Sequence, residues 1–349
     1  MFGTYRPEDV TILLKNITGQ VEPLPTRERE RLIQSGVHYS EMLPLEYEPT
    51  EEYLDAFFQA LRLYAPKTAD AVQSVANQIR QEKQNQITLV SLARAGTPVG
   101  ILIKHDLERR FQMKVPHYTI SIIRGKGIDR NAMNDVLRAH PPESIQFVDG
   151  WTGKGAIQRE LNAAMENYPK VDPGLAVLSD PGNVAGKAGS RNDFLIASSL
   201  LNSTVSGLLS RTFYRSDIIG QYDYHGAAFY QNLIDQDLTY VFISKIEEHF
   251  RKNVPWTTVE SPQRSGLEEV REIAAAFGVQ DINLVKPGIG EATRVLLRRV
   301  PWKLLVHSLH DDEHLGHLYL LAKEKQVEVI EYPLTNYRAC GIIRQLADT

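Results

Sequence analysis

The stretch IQFVDGWTGKGA, residues 145–156, decides the fold class. Ile145 to Val148 is a β-type run that delivers one carboxylate, Asp149, to its C-terminal end. A glycine-rich turn follows, holding Thr152, Gly153, Lys154 and Gly155. Beyond it, Ile157, Leu161, Ala164 and Met165 recur at three- and four-residue spacing and predict an amphipathic helix. Strand, glycine turn and helix together suit a phosphate. Glycines let backbone N–H groups converge on an anion, and the helix N-terminus adds a partial positive charge. Lys154 contributes a full charge, and Asp149 is placed to hold a sugar hydroxyl or a metal-bound water. Two familiar loops are excluded by spacing. The P-loop needs four residues between its first glycine and the Gly-Lys pair, then a hydroxyl residue. Here two residues separate Gly150 from Gly153-Lys154, and Gly155 takes the hydroxyl's place. No G-x-G-x-x-G follows the strand, so the dinucleotide fingerprint is absent too.

Two further segments share the design. Ile87 to Leu92 is an apolar run leading into Ala93-Arg94-Ala95-Gly96-Thr97, after which Val99 to Phe111 reads as a helix. Tyr118 to Ile123 is a third strand, running into the basic loop Arg124-Gly125-Lys126-Gly127-Ile128-Asp129-Arg130. In this order the three segments resemble the type I phosphoribosyltransferases, which bind phosphoribosyl pyrophosphate (PRPP). In place of that family's second acid stands Gly150, and the distance from acid to Thr-Gly is shortened. The resemblance implies a parallel sheet with helices on both faces. It assigns the diphosphate to Arg94, Ala95, Gly96 and Thr97, and the 5′-phosphate to Thr152, Gly153, Lys154 and Gly155. Asp149 would face the ribose, and Arg124 and Lys126 would belong to a closing basic loop. These three are the candidate catalytic residues. Mg²⁺, carried by PRPP or pyrophosphate, is the implied cofactor, and no separate metal site is expected.

A chain of 349 residues suits two domains, and 42% hydrophobic with 23% charged residues describes an ordinary globular protein. A net charge of −4 argues against nonspecific adhesion to nucleic acid or anionic membrane. No signal-peptide pattern follows Met1 and no apolar run is long enough to span a bilayer, so the expected compartment is the cytoplasm. The single cysteine, Cys340, excludes an intramolecular disulfide and reads as a small buried hydrophobe. Residues 1–50 read as an extension, a cover for the neighbouring domain or a homodimer contact. Residues 51–252 form the phosphoribosyltransferase-like domain, starting with two helices around Ala65-Pro66. Ser179 to Ser190 reads as a loop, and Phe194 to Leu209 as a helix. The aromatic run after Arg211 offers Tyr222, Tyr224 and His225 to stack on a base. Residues 253–266 read as a linker.

From residue 267 the chain is a small α/β module, read as ending in a helix over Asn336 to Gln345. The phrases LVKPGIGEATRVLLRR and VEVIEYPLTNYRACGII resemble the pelota-type RNA-binding domain, which shares its fold with kink-turn-binding ribosomal proteins. Carried over by position, Lys286, Gly288, Gly290, Glu291 and Arg294 would face structured RNA. His307, His310, His314 and His317 beside Asp311 read as a polar start to a helix rather than a metal centre. The two resemblances together point to a bacterial family found with tellurium-resistance and stress-response gene clusters, some of whose members carry a cysteine-protease label. They imply PRPP-dependent transfer of ribose 5-phosphate between pyrophosphate and a nitrogenous base. The alternative is a noncatalytic PRPP or nucleotide sensor acting through RNA.

Overall fold

The computed structural model describes residues 2–255 and 264–345. Six strands make the main sheet: β1 (Thr11–Ile12), β2 (Thr88–Leu92), β3 (His117–Ile120), β4 (Ile145–Val148), β5 (Ala176–Ser179) and β6 (Lys187–Ser190). Their order is β1-β3-β2-β4-β5-β6, and every pairing is parallel. Parallel strands need helical crossovers, which cover both faces and make the strands apolar throughout. β2 and β4 are buried at every position. Leu89 and Val148 point into one core, with Val72, Val75 and Ile79 of the long helix α2 (Glu51–Lys83) and Leu102 of α3 (Gly96–Phe111). Val90 and Phe147 point into the other, with Met133 and Val136 of α4 (Arg130–Ala139) and Leu161 of α5 (Ala156–Met165). The doubly covered parallel sheet is therefore present. Among the described residues, no helix is long and apolar enough to cross a membrane.

Several elements differ from the sequence reading. α2 is one helix of 33 residues that continues through Pro66. Proline removes the hydrogen bond to the carbonyl of Arg62, but Arg62 is exposed, so water can serve that oxygen. Burial of Phe57, Leu61, Tyr64, Val72 and Val75 along one stripe offsets the rest. Phe194 to Leu209 forms no α-helix, only short 3₁₀ turns at Ala197–Ser199 and Ser203–Val205. Nearly all of this run is buried, so it has no polar face to give to water. The loop after β5 contains β6. The basic loop 124–126 closes a tight hairpin, in which Ile122–Ile123 pairs antiparallel with Gly127–Ile128.

A four-stranded sheet follows: β7 (Val285–Pro287), β8 (Pro301–Val306), β9 (Glu328–Glu331) and β10 (Ala339–Ile343), in the order β7-β10-β8-β9. After α6 (Thr239–Glu247), helices α7 (Gly266–Ala276), α8 (Ile289–Arg298) and α9 (Asp312–Glu324) accompany this sheet. β10 replaces the helix expected there. A fully buried apolar run of five residues fits either element by pattern, and α8 decides it by lying directly on Gly341. A Cβ there would come within 3.2 Å of the Ala292 backbone. The two sheets are not loosely tethered. Ile289, Leu296, Leu304 and Leu318 belong to the same buried cluster as α2 and the main sheet. The expected linker lies mostly outside the described residues.

Candidate active site

The chain passes from β2 through α3 to β3 on one side, then crosses to β4 on the other. Ligands in open parallel sheets bind at such a reversal, beyond the carboxyl ends of the strands. The loops leaving β2 and β4 meet there because Gly96 permits it. A Cβ on Gly96 would stand 2.4 Å from the Val148 carbonyl oxygen and 3.1 Å from Asp149 Cα. Over this point opens a cleft of about 770 Å³, lined by Ala95, Asp149 and the whole turn from Trp151 to Gln158.

α5 begins at the floor of the cleft. Gly155 precedes it in the left-handed region, φ 77°, and no side chain caps its first turn. The orphan N–H groups of that turn therefore have no intrahelical partner, and Gly155, Ala156, Ile157 and Gln158 all line the cleft. Asp149 is half-buried beside them. Burial pushes its carboxyl up to about 7 against the hydrogen bond it accepts from Gly150 N–H at 2.8 Å.

The remaining turn residues look elsewhere. Thr152 N–H donates to Ser179 O at 3.0 Å and its hydroxyl donates to Asp180, so neither donor is directed to a ligand. Lys154 crosses to the second sheet, where its ammonium donates to the carbonyls of Ile282 and Val285, the latter at 3.0 Å. Burial pushes its pKa down to about 7. Gly153 accepts the Tyr337 hydroxyl at 2.9 Å and faces Pro287 and Glu291. Lys154 and Gly153 thus join the two halves of the molecule.

The C-terminal module forms the roof. Lys286, Glu291 and Arg294, expected to face RNA, line the cleft instead. Gly290 packs on Trp151, and Arg294 lies over the same indole at 5.1 Å. Gly288 stands over Asp193, whose buried carboxylate accepts Ile289 N–H at 3.0 Å and Arg338 N–H at 2.9 Å. Asp193 is therefore an N-cap supplied to α8 across the interface.

Residues before Thr50 close the third side. α1 (Thr26–Gln34) brings Glu30, which receives both arms of Arg299 at 2.5 and 2.9 Å. Tyr39 has Arg124 5.6 Å from its ring and Arg211 4.4 Å from it, and all three line the cleft. Arg124 also donates to Asn283 at 3.1 Å.

Other candidates stand apart. Lys126 pairs with Glu41 at 3.6 Å and does not line the cleft. Arg94 is held by Leu209 O at 2.9 Å, Glu46 at 3.1 Å and Asn202, so it ties the β2 turn to its surroundings. Thr97 is buried and shares its hydroxyl with Thr119 at 2.8 Å. The base-stacking expectation needs correction. Tyr222 is 87% exposed, Tyr224 bonds Asp135, and His225 is fixed to Ser121 at 2.9 Å; none lines the cleft. Among the described residues, the aromatic rings that do are Tyr39 and Trp151. Trp151 lay inside the quoted stretch; Tyr39 and Arg211 carried no local motif. Two of the four histidines gather on Asp311, which pairs with His307 at 2.9 Å, His314 at 2.7 Å and Arg338 at 2.8 Å, while His317 meets the Thr293 hydroxyl at 3.0 Å.

Residues 3–247 match the family model described as tellurite-like stress resistance cysteine protease StiP, and residues 264–345 match the PELOTA RNA binding domain. A relative from Acinetobacter baylyi, named cysteine protease StiP, is 38% identical over 99% of this chain and 94% of its own length. Among solved structures, a hypoxanthine-guanine phosphoribosyltransferase from Bacillus anthracis overlays 36% of this chain and 77% of its own, at 16% identity and TM-score 0.27. A xanthine-guanine-hypoxanthine phosphoribosyltransferase from Helicobacter pylori overlays 40% and 78%, at 16% identity and TM-score 0.23. Overlays this loose do not bear on the site.

Proposed function

The chain belongs to the StiP family, and we propose that its cleft is the active site of a PRPP-dependent phosphoribosyltransferase, which moves ribose 5-phosphate between pyrophosphate and a nitrogenous base in nucleotide- or nucleoside-like metabolism linked to stress response. The observation that carries this reading is the uncapped N-terminus of α5 at the sheet's reversal point, with Asp149 beside it. The 5′-phosphate would lie on the N–H groups of Gly155 to Gln158, where backbone dipoles stabilise a dianion. Asp149 would accept the ribose hydroxyls. A planar base would enter along Tyr39 and Trp151. The anomeric C–O bond to diphosphate would break as the C–N bond to the base forms, with the base's proton leaving to solvent. Fixed positive charge around the departing diphosphate supplies the electrostatic part of the catalysis. Mg²⁺ would arrive with the diphosphate and keep most of its waters, with Asp149, and Glu291 beside its Arg294 partner, as the carboxylates of the cleft that would hold it. Bound with the diphosphate, the ion would neutralise its charge.

The relative's name suggests a thiol protease, and the one cysteine of this chain does not suit that chemistry. Cys340 is fully buried in the centre of a sheet, burial pushes its thiol up to about 12, and its contact is to Gly341 O at 4.0 Å. A thiolate nucleophile needs a lowered pKa and access. RNA binding through the α8 turn would require its release from Asp193 and Trp151.

Ala156→Asp tests the phosphate reading. A carboxylate in the first turn suits the helix dipole, so folding is retained, yet it occupies the anion position. Calorimetry should find ribose 5-phosphate binding to the wild type and none to the variant. Equal affinity in the two proteins overturns the reading.

A further inference from the structure

Positive charge in the walls of the cleft and beside them exceeds what the neighbouring acids neutralise. Arg299 is matched by Glu30 and Arg94 by Glu46. Arg211, Arg298 and Arg29 have no such partner. Among the described residues, none of these three side chains has a hydrogen-bond acceptor, and the Arg29 Nε is fully buried without one. Arg211 reaches the cleft surface, with its guanidinium 4.4 Å from the Tyr39 ring. Burial and the neighbouring Arg29 hold its pKa below the usual guanidinium range. Lys286 also lines the cleft, its ammonium without a hydrogen bond among the described residues, and Arg124 stands by the same Tyr39 ring. Guanidinium groups gathered without acceptors repel one another, and an anion that joins them relieves that repulsion. A planar guanidinium with its donors open fits phosphoryl oxygens in pairs.

We propose that Arg211, with Arg124 and Lys286, forms a diphosphate subsite distinct from the α5 phosphate cradle, and that Arg29 and Arg298 supply its supporting charge. The ligand class is a multiply charged phosphate chain. Its identification as the leaving diphosphate of PRPP rests on the phosphoribosyl reading; the subsite itself does not. Arg94, the residue assigned to the diphosphate by resemblance, is already bound on three sides and leaves this task to Arg211.

The test uses the full chain, Arg211→Met, and calorimetric titration with inorganic pyrophosphate, PRPP and ribose 5-phosphate. Pyrophosphate should bind the wild type, and Arg211→Met should weaken it at least tenfold and flatten its salt dependence. PRPP should weaken in parallel if it is the chain's owner. Ribose 5-phosphate should bind both proteins alike. In phosphate-free buffer the variant should melt no lower than the wild type, because an uncompensated charge has been removed. Unchanged pyrophosphate affinity, or a lowered melting temperature showing that the guanidinium is structural, overturns the subsite. Loss of ribose 5-phosphate binding by Ala156→Asp with pyrophosphate binding intact, or the converse, separates the two sites. If pyrophosphate binding persists while PRPP fails to bind the wild type, the subsite stands and the phosphoribosyl reading falls.

Discussion

Replacement of Asp193 by alanine tests whether the two sheets form one cooperative structure with a shared cleft. Its carboxylate is 5% exposed and accepts backbone N–H groups from Ile289 and Arg338 of the other module. Removal leaves two buried donors unserved, at roughly 1–3 kcal/mol each. The N-terminus of α8 also loses its anion, at about 1 kcal/mol. Against this, burial has pushed the Asp193 carboxyl up to about 6 from its ordinary 3.8. At neutral pH that shift corresponds to roughly 3 kcal/mol of cost for holding the charge. The net expectation for Asp193→Ala is a loss near 2 kcal/mol, a fall in Tm of about 3 °C for a chain of this size. Asp193→Asn keeps one oxygen acceptor without the buried charge, and should stay within about 1 kcal/mol of the wild type. The sign of the pH dependence follows. Between the unfolded and folded pKa values the native state holds more protons, so this carboxyl's contribution to wild-type stability falls as pH rises from about 4 to 6 and is level above. Asp193→Asn lacks that slope. Calorimetric melting should show a single transition in the wild type. Two separated transitions, or an unchanged Tm in Asp193→Ala, would refute the reasoning.

Three other outcomes are expected. Gly96→Ala places a methyl 2.4 Å from the Val148 carbonyl oxygen, and should cost about 2–3 kcal/mol in urea unfolding while parting the two loops that floor the cleft; full stability would contradict the close approach. Burial would lower the His105 pKa, but its bonds to Asp9 at 2.8 Å and Glu247 at 2.5 Å override that and carry it up to about 9. Its stabilisation, about 1–3 kcal/mol, should be complete below pH 6.5 and lost as pH rises through 9, and a stability profile of His105→Gln should lack that decline. Cys340 should resist iodoacetamide in the native protein and react only on unfolding, and rapid native alkylation would contradict its placement.

The parallel sheet was legible because its strands are short apolar runs that end in glycine turns. β4 and the start of α5 fall within a residue of their expected positions. What failed were segments whose apolar pattern has no direction: Phe194 to Leu209, buried almost throughout, and β10, fixed by α8 rather than by its own residues. The cleft was half legible. Asp149 and Gly155 announced themselves by position in the turn. Lys154 did not, because a lysine in a phosphate-like turn reads the same whether it faces an anion or the carbonyls of another module. The roof was hidden for a similar reason. The α8 turn reads as a surface for RNA, and only docking shows that Asp193 and Trp151 occupy it. Tyr39, Glu30 and Arg211 come from distant parts of the chain and carry no spacing that could announce them.

A crystal structure grown with PRPP and magnesium tests the central claim most directly. The 5′-phosphate should be found on the backbone N–H groups of Gly155 to Gln158, the ribose hydroxyls against Asp149, and the diphosphate beside Arg211, with the C-terminal module still docked over it. PRPP absent from the cleft at saturating concentration, or bound only at the outer surface, would contradict the account.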